Sequence, residues 1–499
     1  METLDWLVIG IFFLALIGII VWVVKQKQND SADYFLGGRD ATWLAIGASI
    51  FASNIGSEHL IGLAGAGASS GMAMAHWEIQ GWMILILGWV FVPFYSRSMV
   101  FTMPEFLERR YNPQSRTILS VISLISYVLT KVAVTVYAGG LVFQQVFGIK
   151  ELWGIDFFWI AAIGLVILTA LYTIFGGMKS VLYTSILQTP ILLLGSLIIL
   201  VLGFKELGGW DEMMRICGAV TVNDYGNTMT ELIRSNNDPN FPWLGALIGS
   251  AIIGFWYWCT DQFIVQRVLS GKNEKEARRG TIFGAYLKLL PVFLFLIPGM
   301  IAFALHQKYL GTGGEGFLPM LANGNANADA AFPTLVAKLL PAGVKGLVVC
   351  GILAALMSSL ASLFNSSAML FTIDFYKRFK PNTSEKKLVG IGQMATVAIV
   401  ILGILWIPIM RSVGDVLYTY LQDVQSVLAP GIAAAFLLGI CWKRTSAQGG
   451  MWGLIAGMII GLTRLGAKVY YSNVGDVSSS TFKYLFYDCL LYTSDAADD

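Results

Sequence analysis

An amide, a carboxylate and an imidazole occur together inside an apolar segment of this chain, in the run Ala-Ser-Asn-Ile-Gly-Ser-Glu-His-Leu-Ile-Gly at positions 52–62. A buried ionisable group costs about 2.5–3.5 kcal/mol on membrane-insertion scales, so chains keep such groups where they line a polar cavity or contact a ligand. Gly56, with Ser53 and Ser57, allows the helix to unwind, and unwinding frees backbone carbonyls that can bind an ion. The run predicts a ligand or ion site on a broken membrane helix.

A second polar interruption, the run Trp-Tyr-Trp-Cys-Thr-Asp-Gln at positions 256–262, lies five apolar segments further along the chain. This spacing predicts an inverted repeat of two five-helix halves whose first helices are both broken near the membrane midplane. Aromatic faces beside carboxamide and carboxylate groups suit a sugar, because its C–H faces stack while its hydroxyls need donors and acceptors. An interfacial aromatic belt or ordinary packing is the alternative interpretation.

Adjacent hydroxyls, Ser358 and Ser359, lie among small residues in another apolar segment. Small residues alone indicate close helix packing. With carbonyls of the first broken helix, however, the two hydroxyls would offer a hard cation neutral oxygen ligands, which suit Na⁺ better than a transition metal. The polar residues of the predicted spans that could face one cavity are Asn54, Glu58, His59, Glu78, Lys131, Asp261, Gln262, Lys288, Ser358, Ser359, Gln422, Asp423 and Gln425.

The elements that must position these residues are membrane helices. Of the 499 residues, 56% are hydrophobic and 13% charged, which excludes an ordinary soluble protein and indicates an all-α polytopic membrane protein. Twelve apolar segments are long enough to span a bilayer: 4–24, 42–69, 74–96, 116–146, 155–175, 180–203, 242–268, 280–305, 342–375, 388–409, 413–441 and 446–466. We expect the first to be a retained helix. The apolar segment 482–492 is too short to span, so we expect a truncated or non-native chain end.

Basic residues concentrate in alternate loops, at 25–39, 97–116, 267–279, 377–387 and 443–444. Short cytoplasmic loops retain Lys and Arg, so we expect a cell-membrane protein, bacterial inner membrane or plasma membrane, whose amino terminus is extracellular or periplasmic. The formal net charge of +2 does not indicate a nucleic-acid partner.

Catalytic and nucleotide-binding motifs are missing from the sequence, which has no HExxH, GxSxG, P-loop or dinucleotide fingerprint. The five cysteines are scattered and form neither a disulfide framework nor a CxxC metal site. We therefore expect a transporter without an organic cofactor, driven by an ion gradient or by the gradient of its substrate, rather than an enzyme.

The chain resembles the sodium/solute symporters, and within them the sodium/glucose cotransporters, up to about residue 490. The runs that carry the resemblance are 53–57 followed by His59, 62–65, Met-Pro-Glu-Phe-Leu at 103–107, 256–262, Tyr-Leu-Lys-Leu at 286–289 and Asn-Ser at 365–366. The resemblance implies a LeuT-type core of five plus five helices with discontinuous first and sixth core helices, plus extra peripheral helices.

Site residues follow from the resemblance by position. It implies a sugar site of Asn54, His59, Glu78, Tyr257, Trp258, Lys288 and Gln422. It implies an inner gate at Tyr257 and an outer gate of Leu63, Trp77 and Tyr418. It implies a Na⁺ site made by carbonyls of Ala52, Ile55 and Ala355 and by the hydroxyls of Ser358 and Ser359.

Four positions depart from the family pattern. By this resemblance, family members that take two sodium ions have an acidic residue where this chain has Ser185 and a threonine where it has Ala361. Both differences remove cation ligands, so we expect one Na⁺ per sugar. Gly254 and Gln425 also differ from the residues expected near the sugar, and they leave its identity open.

The expected organisation has five parts: an extra transmembrane helix and cytoplasmic loop (1–41), the first five-helix repeat (42–203), an extracellular loop (204–241), the second repeat with an extracellular lid at about 306–341 (242–441), and peripheral C-terminal helices (442–499). The expected function is Na⁺-coupled import of a hexose, glucose or galactose, by alternating access of a monomer in the lipid bilayer. Alternatives are the same fold carrying myo-inositol, another polyol or sialic acid, a non-transporting sugar sensor, or a Na⁺-independent uniporter.

Overall fold

The computed structural model describes residues 1–474 apart from 27, 29, 57, 223–225, 237, 239–240, 322–323 and 414–416, and the side chains of 145, 409–413, 417–424 and 468–474 are also outside the description. Within these ranges, nine helices are long and apolar enough to cross a membrane. They are Thr3–Val24, Glu58–Ser98, Pro113–Gln144, Phe157–Leu207, Trp243–Thr260, Glu274–Gly311, Val344–Phe379, Glu385–Pro408 and Ala447–Ala467.

One of these helices is long enough for two crossings. Phe157–Leu207 has 51 residues, and at about 1.5 Å per residue this is more than twice the ~30 Å apolar thickness of a bilayer. Its backbone breaks at Gly177, where φ is 53° and where a Cβ atom would meet the Tyr34 carbonyl oxygen. The helix therefore consists of two spans that meet at a glycine no other residue could replace without strain.

The first broken helix comprises residues 43–70. Its first half, Trp43–Asn54, ends where Ile55 becomes extended, with φ −77° and ψ 106°. The chain resumes as a π-helical stretch, Glu58–Leu63, and continues as Ala64–Ser70. Carbonyls at the end of the first half thus lose their helical partners, and the predicted break in this helix is present.

The second broken helix comprises residues 243–269. Trp243–Gly254 passes into a π-helical stretch, Phe255–Thr260, and the helix stops at Asp261, which is extended with φ −72° and ψ 127°. The Asp261 carboxylate caps the second half, Gln262–Leu269, by accepting from the Phe263 N–H. A capping residue at the break is what allows a new helix to start inside the membrane.

Glycines set the closest helix contacts. A Cβ atom at Gly47 would lie 2.8 Å from the Gly280 carbonyl oxygen, so the first broken helix packs backbone to backbone on Glu274–Leu287. A Cβ atom at Gly195 would lie 3.3 Å from the Val348 Cα, which brings Phe157–Leu207 equally close to the serine helix, Val344–Met369. Small residues at such contacts are typical of membrane helix packing.

Shorter elements connect and cover the membrane helices. They include the helices Ser31–Leu36, Met103–Arg110, Trp210–Gly218 and Ala331–Leu339 and the hairpin of β1 (Glu151–Leu152) and β2 (Ile155–Asp156). The remaining described helices extend or follow the spans given above, as Glu385–Val413, Leu417–Cys441 and Ala447–Val474. The loop after Trp210–Gly218 attaches to the turn that follows the first broken helix, since the Met72 N–H donates to the Met229 carbonyl at 2.8 Å.

Candidate functional site

Three buried ionisable residues meet at one place. His59 lies on the first broken helix, Glu78 follows that helix in the chain, and Lys288 lies in the span that follows the second broken helix. Lys288 Nζ lies 2.6 Å from Glu78 Oε2 and 2.9 Å from His59 Nε2, and His59 Nε2 lies 3.2 Å from Glu78 Oε1. These side chains are 3–5% exposed. The carboxylate and the ammonium neutralise each other, which lowers the cost of burying either charge.

Polar atoms without partners occur in this triad and on the helices that carry it. Among the described residues, Asn54 Oδ1, His59 Nδ1 and Gln80 Oε1 are buried and form no hydrogen bond. Buried polar atoms are rarely left unpaired, because each costs about 1–3 kcal/mol. The unpaired atoms therefore mark a place where a polar ligand can bind.

Gln80 is a residue that the sequence-based interpretation missed. A Cβ atom at Gly254, one of the positions that depart from the family pattern, would lie 2.8 Å from Gln80 Oε1. The absence of a side chain at position 254 thus leaves room for the Gln80 amide. The available signal was a second polar residue two positions after Glu78 in the same predicted span.

The second broken helix contributes aromatic faces to the same region. The Tyr257 hydroxyl accepts a hydrogen bond from Asn54 Nδ2 at 3.0 Å, which joins the two broken helices directly. The Trp258 ring stands at 87° to the Tyr257 ring, with centroids 4.9 Å apart, and lies 5.6 Å from Lys288 Nζ. The structure thus brings together six of the seven residues predicted to bind the sugar.

Two predicted site residues cannot be placed. The side chains of Gln422 and Tyr418 lie outside the described residues. The other two residues of the predicted outer gate, Leu63 and Trp77, are buried, with exposures of 0% and 8%.

The predicted sodium ligands cluster where the first broken helix meets the serine helix. Ser359 Oγ donates to the Ser53 carbonyl at 2.8 Å and lies 3.4 Å from the Ile55 carbonyl. Ser358 Oγ lies 3.4 Å from both Ser53 Oγ and Ser185 Oγ. Ala52 and Ala355 are buried on these same two helices. This donor set consists of hydroxyl and carbonyl oxygens and therefore fits Na⁺.

Ser362 and Arg267 also contact this cluster, and neither was predicted. Ser53 Oγ lies 2.8 Å from Ser362 Oγ and accepts from Arg267 Nε at 3.1 Å. Arg267 is 1% exposed, although the sequence-based interpretation assigned it to a cytoplasmic basic loop. That assignment was wrong, because the half-helix Gln262–Leu269 continues into the protein interior past Arg267. Arg267 also donates to Ser49 Oγ, so two hydroxyls of the first broken helix solvate the guanidinium.

A second buried ion pair lies at the break of the second broken helix. Lys131 Nζ lies 2.6 Å from Asp261 Oδ2, and the Tyr127 hydroxyl donates to Asp261 Oδ1. Four aromatic rings have centroids 4.8–5.4 Å from Lys131 Nζ, those of Tyr127, Trp256, Tyr257 and Phe263. We refer to Lys131, Asp261 and these four rings as the lysine cage. It attaches the bend of the second broken helix to the span 113–147.

Two broken helices, with an oxygen donor set and buried polar side chains at their breaks, are the arrangement of an ion-coupled secondary transporter. The sequence model of the sodium:solute symporter family matches residues 34–457, and the chain belongs to this family. It is therefore a multi-pass membrane transporter rather than an enzyme, and Na⁺ is its co-transported ion.

Relatives and a solved structure agree with this assignment. The chain is 37% identical over 514 residues to human sodium/myo-inositol cotransporter 2, covering 99% of this chain and 75% of that protein. It is 37% identical over 512 residues to mouse sodium/glucose cotransporter 4, covering 98% and 74%. The solved outward-open structure of a Na⁺-coupled sialic acid symporter matches with a TM-score of 0.75 and 22% identity, covering 93% of this chain and 98% of that one. The predicted LeuT-type fold is thereby confirmed.

Proposed function

We propose that the protein imports a neutral ring polyol together with Na⁺, and that this polyol is a hexose such as glucose or galactose. The observation that carries the proposal is the buried triad of Glu78, Lys288 and His59 beside unpaired amide oxygens. A hexose presents hydroxyls that donate and accept, so it can satisfy a carboxylate, an ammonium and amide groups at once.

The site's charge favours a neutral substrate. The Lys288 ammonium already contacts the Glu78 carboxylate at 2.6 Å, so it is not an unmatched cation available to a carboxylate ligand. A sialic acid carries such a carboxylate and would enter as an uncompensated buried charge. Aromatic faces at Tyr257 and Trp258 suit the C–H faces of a polyol ring.

A second candidate substrate is myo-inositol, because the relatives that match this chain include myo-inositol cotransporters. An inositol ring offers the same alternation of apolar faces and equatorial hydroxyls. It has no ring oxygen and carries a hydroxyl on every carbon, so it demands one more polar partner around the ring. Gln80, with its unpaired Oε1, is a candidate for that partner.

The proposed sodium ligands are carbonyls of Ala52, Ile55 and Ala355 and the hydroxyls of Ser358 and Ser359. The proposed stoichiometry is one Na⁺ per substrate, since Ser185 and Ala361 offer weaker ligation than an acid and a threonine. One Na⁺ moving down a tenfold gradient releases about 1.4 kcal/mol, and 100 mV adds about 2.3 kcal/mol. The sum of about 3.7 kcal/mol sustains a substrate ratio of several hundredfold.

In the proposed cycle, Na⁺ binds from outside and stabilises the outward-open state, because its ligands come from two helices that separate when the protein opens inward. Substrate then binds, Leu63, Trp77 and Tyr418 close above it, and Tyr257 opens below it. The moving parts are the repeats 42–203 and 242–441, with the amino terminus outside and the monomer as the working unit. The segments 1–41, 204–241 and 442–499 are peripheral to this cycle.

The test is uptake of radiolabelled glucose, galactose and myo-inositol into proteoliposomes with an imposed inward Na⁺ gradient and a K⁺ control. We compare the wild type with Ser359→Ala, which removes a proposed ligand, and with Ser367→Ala. Ser367 is the matched control, because it is buried on the same helix and its hydroxyl has no partner in the described structure.

Na⁺-dependent accumulation that collapses in Ser359→Ala but not in Ser367→Ala supports symport and the proposed ligand. Equal flux in Na⁺ and K⁺ contradicts symport of these substrates and indicates a uniporter. Binding without flux indicates a sensor. Accumulation of myo-inositol but neither hexose replaces the first candidate substrate by the second.

A further inference from the structure

An open groove of about 460 Å³ lies at the start of the helix Glu274–Leu287 and shares no lining residue with the polar triad. It is lined by Trp89, Glu274, Lys275, Arg278, Arg279 and Ile282. The floor forms where two helices approach closely, since a Cβ atom at Gly88 would lie 3.4 Å from Ile282 Cγ1. One wall of the groove is therefore the basic first part of a helix, and the other wall is apolar.

The groove carries an excess of two positive charges. Its single carboxylate, Glu274, lies 3.8 Å from Arg278, and both side chains are more than one-third exposed. An exposed pair at that distance contributes little to stability, so Arg278 remains free to bind another anion. Lys275 and Arg279 are exposed and have no ion-pair partner within 4 Å in the described structure. Three cations thus line one groove.

Trp89 and Ile282 form an apolar wall of the groove. Trp89 is 55% exposed in a helix that crosses the membrane, and Ile282 lies on the same side. A tryptophan beside arginines is the combination found at the boundary between headgroups and acyl chains. Basic pockets between membrane helices on the cytoplasmic side bind anionic lipid headgroups.

We propose that this groove binds the phosphate of an anionic phospholipid, with Lys275, Arg278 and Arg279 holding the phosphodiester and Trp89 and Ile282 contacting the acyl chains. The assignment to the cytoplasmic leaflet rests on the orientation given above under the proposed function. The charge complementarity selects an anionic lipid over a zwitterionic one, whose own cation cancels the attraction.

The location couples the groove to the transport helices. The helix that begins at Glu274 packs on the first broken helix through Gly280 and ends one residue before Lys288 of the polar triad. A lipid held at its start therefore moves with the helices that carry the substrate ligands. Its anionic headgroup supplies the counter-charge that the described structure does not provide.

The test is a titration of the purified full-length protein with phosphatidylglycerol, followed by native mass spectrometry, with phosphatidylcholine as the zwitterionic probe. The groove variant carries Lys275→Gln, Arg278→Gln and Arg279→Gln. The matched control carries Lys380→Gln, Lys386→Gln and Lys387→Gln, three exposed basic residues in another predicted cytoplasmic loop. Each lost cation weakens binding about fivefold, so the groove variant loses on the order of a hundredfold.

Tight binding of phosphatidylglycerol that the groove variant loses and the control keeps supports the proposal. Lys275→Gln alone, at an exposed side chain without a partner, shows about a fivefold loss and provides a test in a variant that folds normally. Equal losses in both triple variants overturn the proposal, as does equal binding of phosphatidylcholine. Displacement of the lipid by inorganic phosphate overturns the assignment of a lipid and indicates a site for a soluble anion.

Discussion

At the scale of single residues, the polar triad is the costliest feature of the protein. Glu78 and Lys288 are each buried to at least 95%, and each is tolerable only because the other lies 2.6 Å away. A buried pair adds little net stability over an apolar pair of similar size, whereas removing one partner leaves an uncompensated charge. Stability alone therefore does not account for the pair, and the proposed substrate site does.

Lys288→Met should abolish transport and lower the stability of the folded protein by about 3–5 kcal/mol, because it leaves the Glu78 carboxylate buried and unpaired. The double variant Glu78→Gln with Lys288→Met should recover most of that stability but none of the transport. Thermal unfolding of the detergent-solubilised variants and sugar uptake measure the two effects. A double variant as unstable as the single one would show that the loss of stability does not come from the unpaired Glu78 charge.

The residues of this triad could be predicted from the sequence, because ionisable residues in apolar segments are rare and their types are informative. Arg267 could not, since its position four residues from Gly271 places it among basic loop residues in the linear sequence. Only the packing of the second broken helix against Ser49 and Ser53 shows that the guanidinium is buried. The sequence shows which polar groups are present. It does not show whether the helix that carries such a group ends before or after the membrane boundary.

At the scale of elements, the lysine cage determines how the second broken helix bends. Asp261 caps the half-helix Gln262–Leu269 and pairs with Lys131 on a neighbouring span, so one carboxylate fixes both the start of the helix and its attachment. The Tyr257 ring, proposed as the inner gate, lies 4.8 Å from Lys131 Nζ. Movement of the gate therefore requires the cage to rearrange.

Asp261→Asn should change the transport rate far more than the apparent substrate affinity. Asparagine caps a helix as well as aspartate does, so the variant keeps the cap and removes only the charge that pairs with Lys131. Asp30→Asn is the control, because the Asp30 carboxylate also caps a helix, Ser31–Leu36, by accepting from the Asp33 N–H, and lies far from the cage in the sequence. Initial rates over a range of sugar concentrations give kcat and KM. Equal changes in both variants, or a change confined to KM, would contradict a role for the cage in the gate.

The two helix breaks could be predicted, because polar runs interrupt otherwise apolar segments. The π-helical stretches Glu58–Leu63 and Phe255–Thr260 could not. A π turn differs from an α turn by one residue of hydrogen-bond register, and side-chain types do not report that register. The consequence for the site is specific, since an extra residue per turn rotates Tyr257 and His59 relative to an ideal helix.

At the scale of the whole molecule, coupling depends on ligands shared between helices that move apart. Ser359 Oγ reaches carbonyls at the break of the first broken helix, so an ion held there ties the serine helix to the half that carries Asn54. Asn54 in turn donates to Tyr257 on the second broken helix. In the proposed cycle, sodium and substrate therefore bias the same arrangement of helices, which is the physical requirement for reciprocal coupling.

The number of ions coupled in this way should be one, and two substitutions should raise it to two. Ser185 Oγ lies 3.4 Å from Ser358 Oγ, so Ser185→Asp places a carboxylate beside existing hydroxyls. Ala361→Thr adds another oxygen to the serine helix, which carries Ser358. The wild type should show a non-sigmoidal Na⁺ dependence and a reversal potential for one charge per sugar, whereas the double variant should show a sigmoidal dependence and a reversal potential for two. Because each ion adds about 3.7 kcal/mol under a tenfold gradient and 100 mV, the limiting sugar ratio should rise from several hundredfold to about 10⁵-fold.

Ser196→Asp is the control for an added carboxylate, because Ser196 is another buried serine of Phe157–Leu207, the helix that carries Ser185. A wild-type reversal potential for two ions would contradict the single-site stoichiometry and would require ligands beyond the hydroxyls and carbonyls described above.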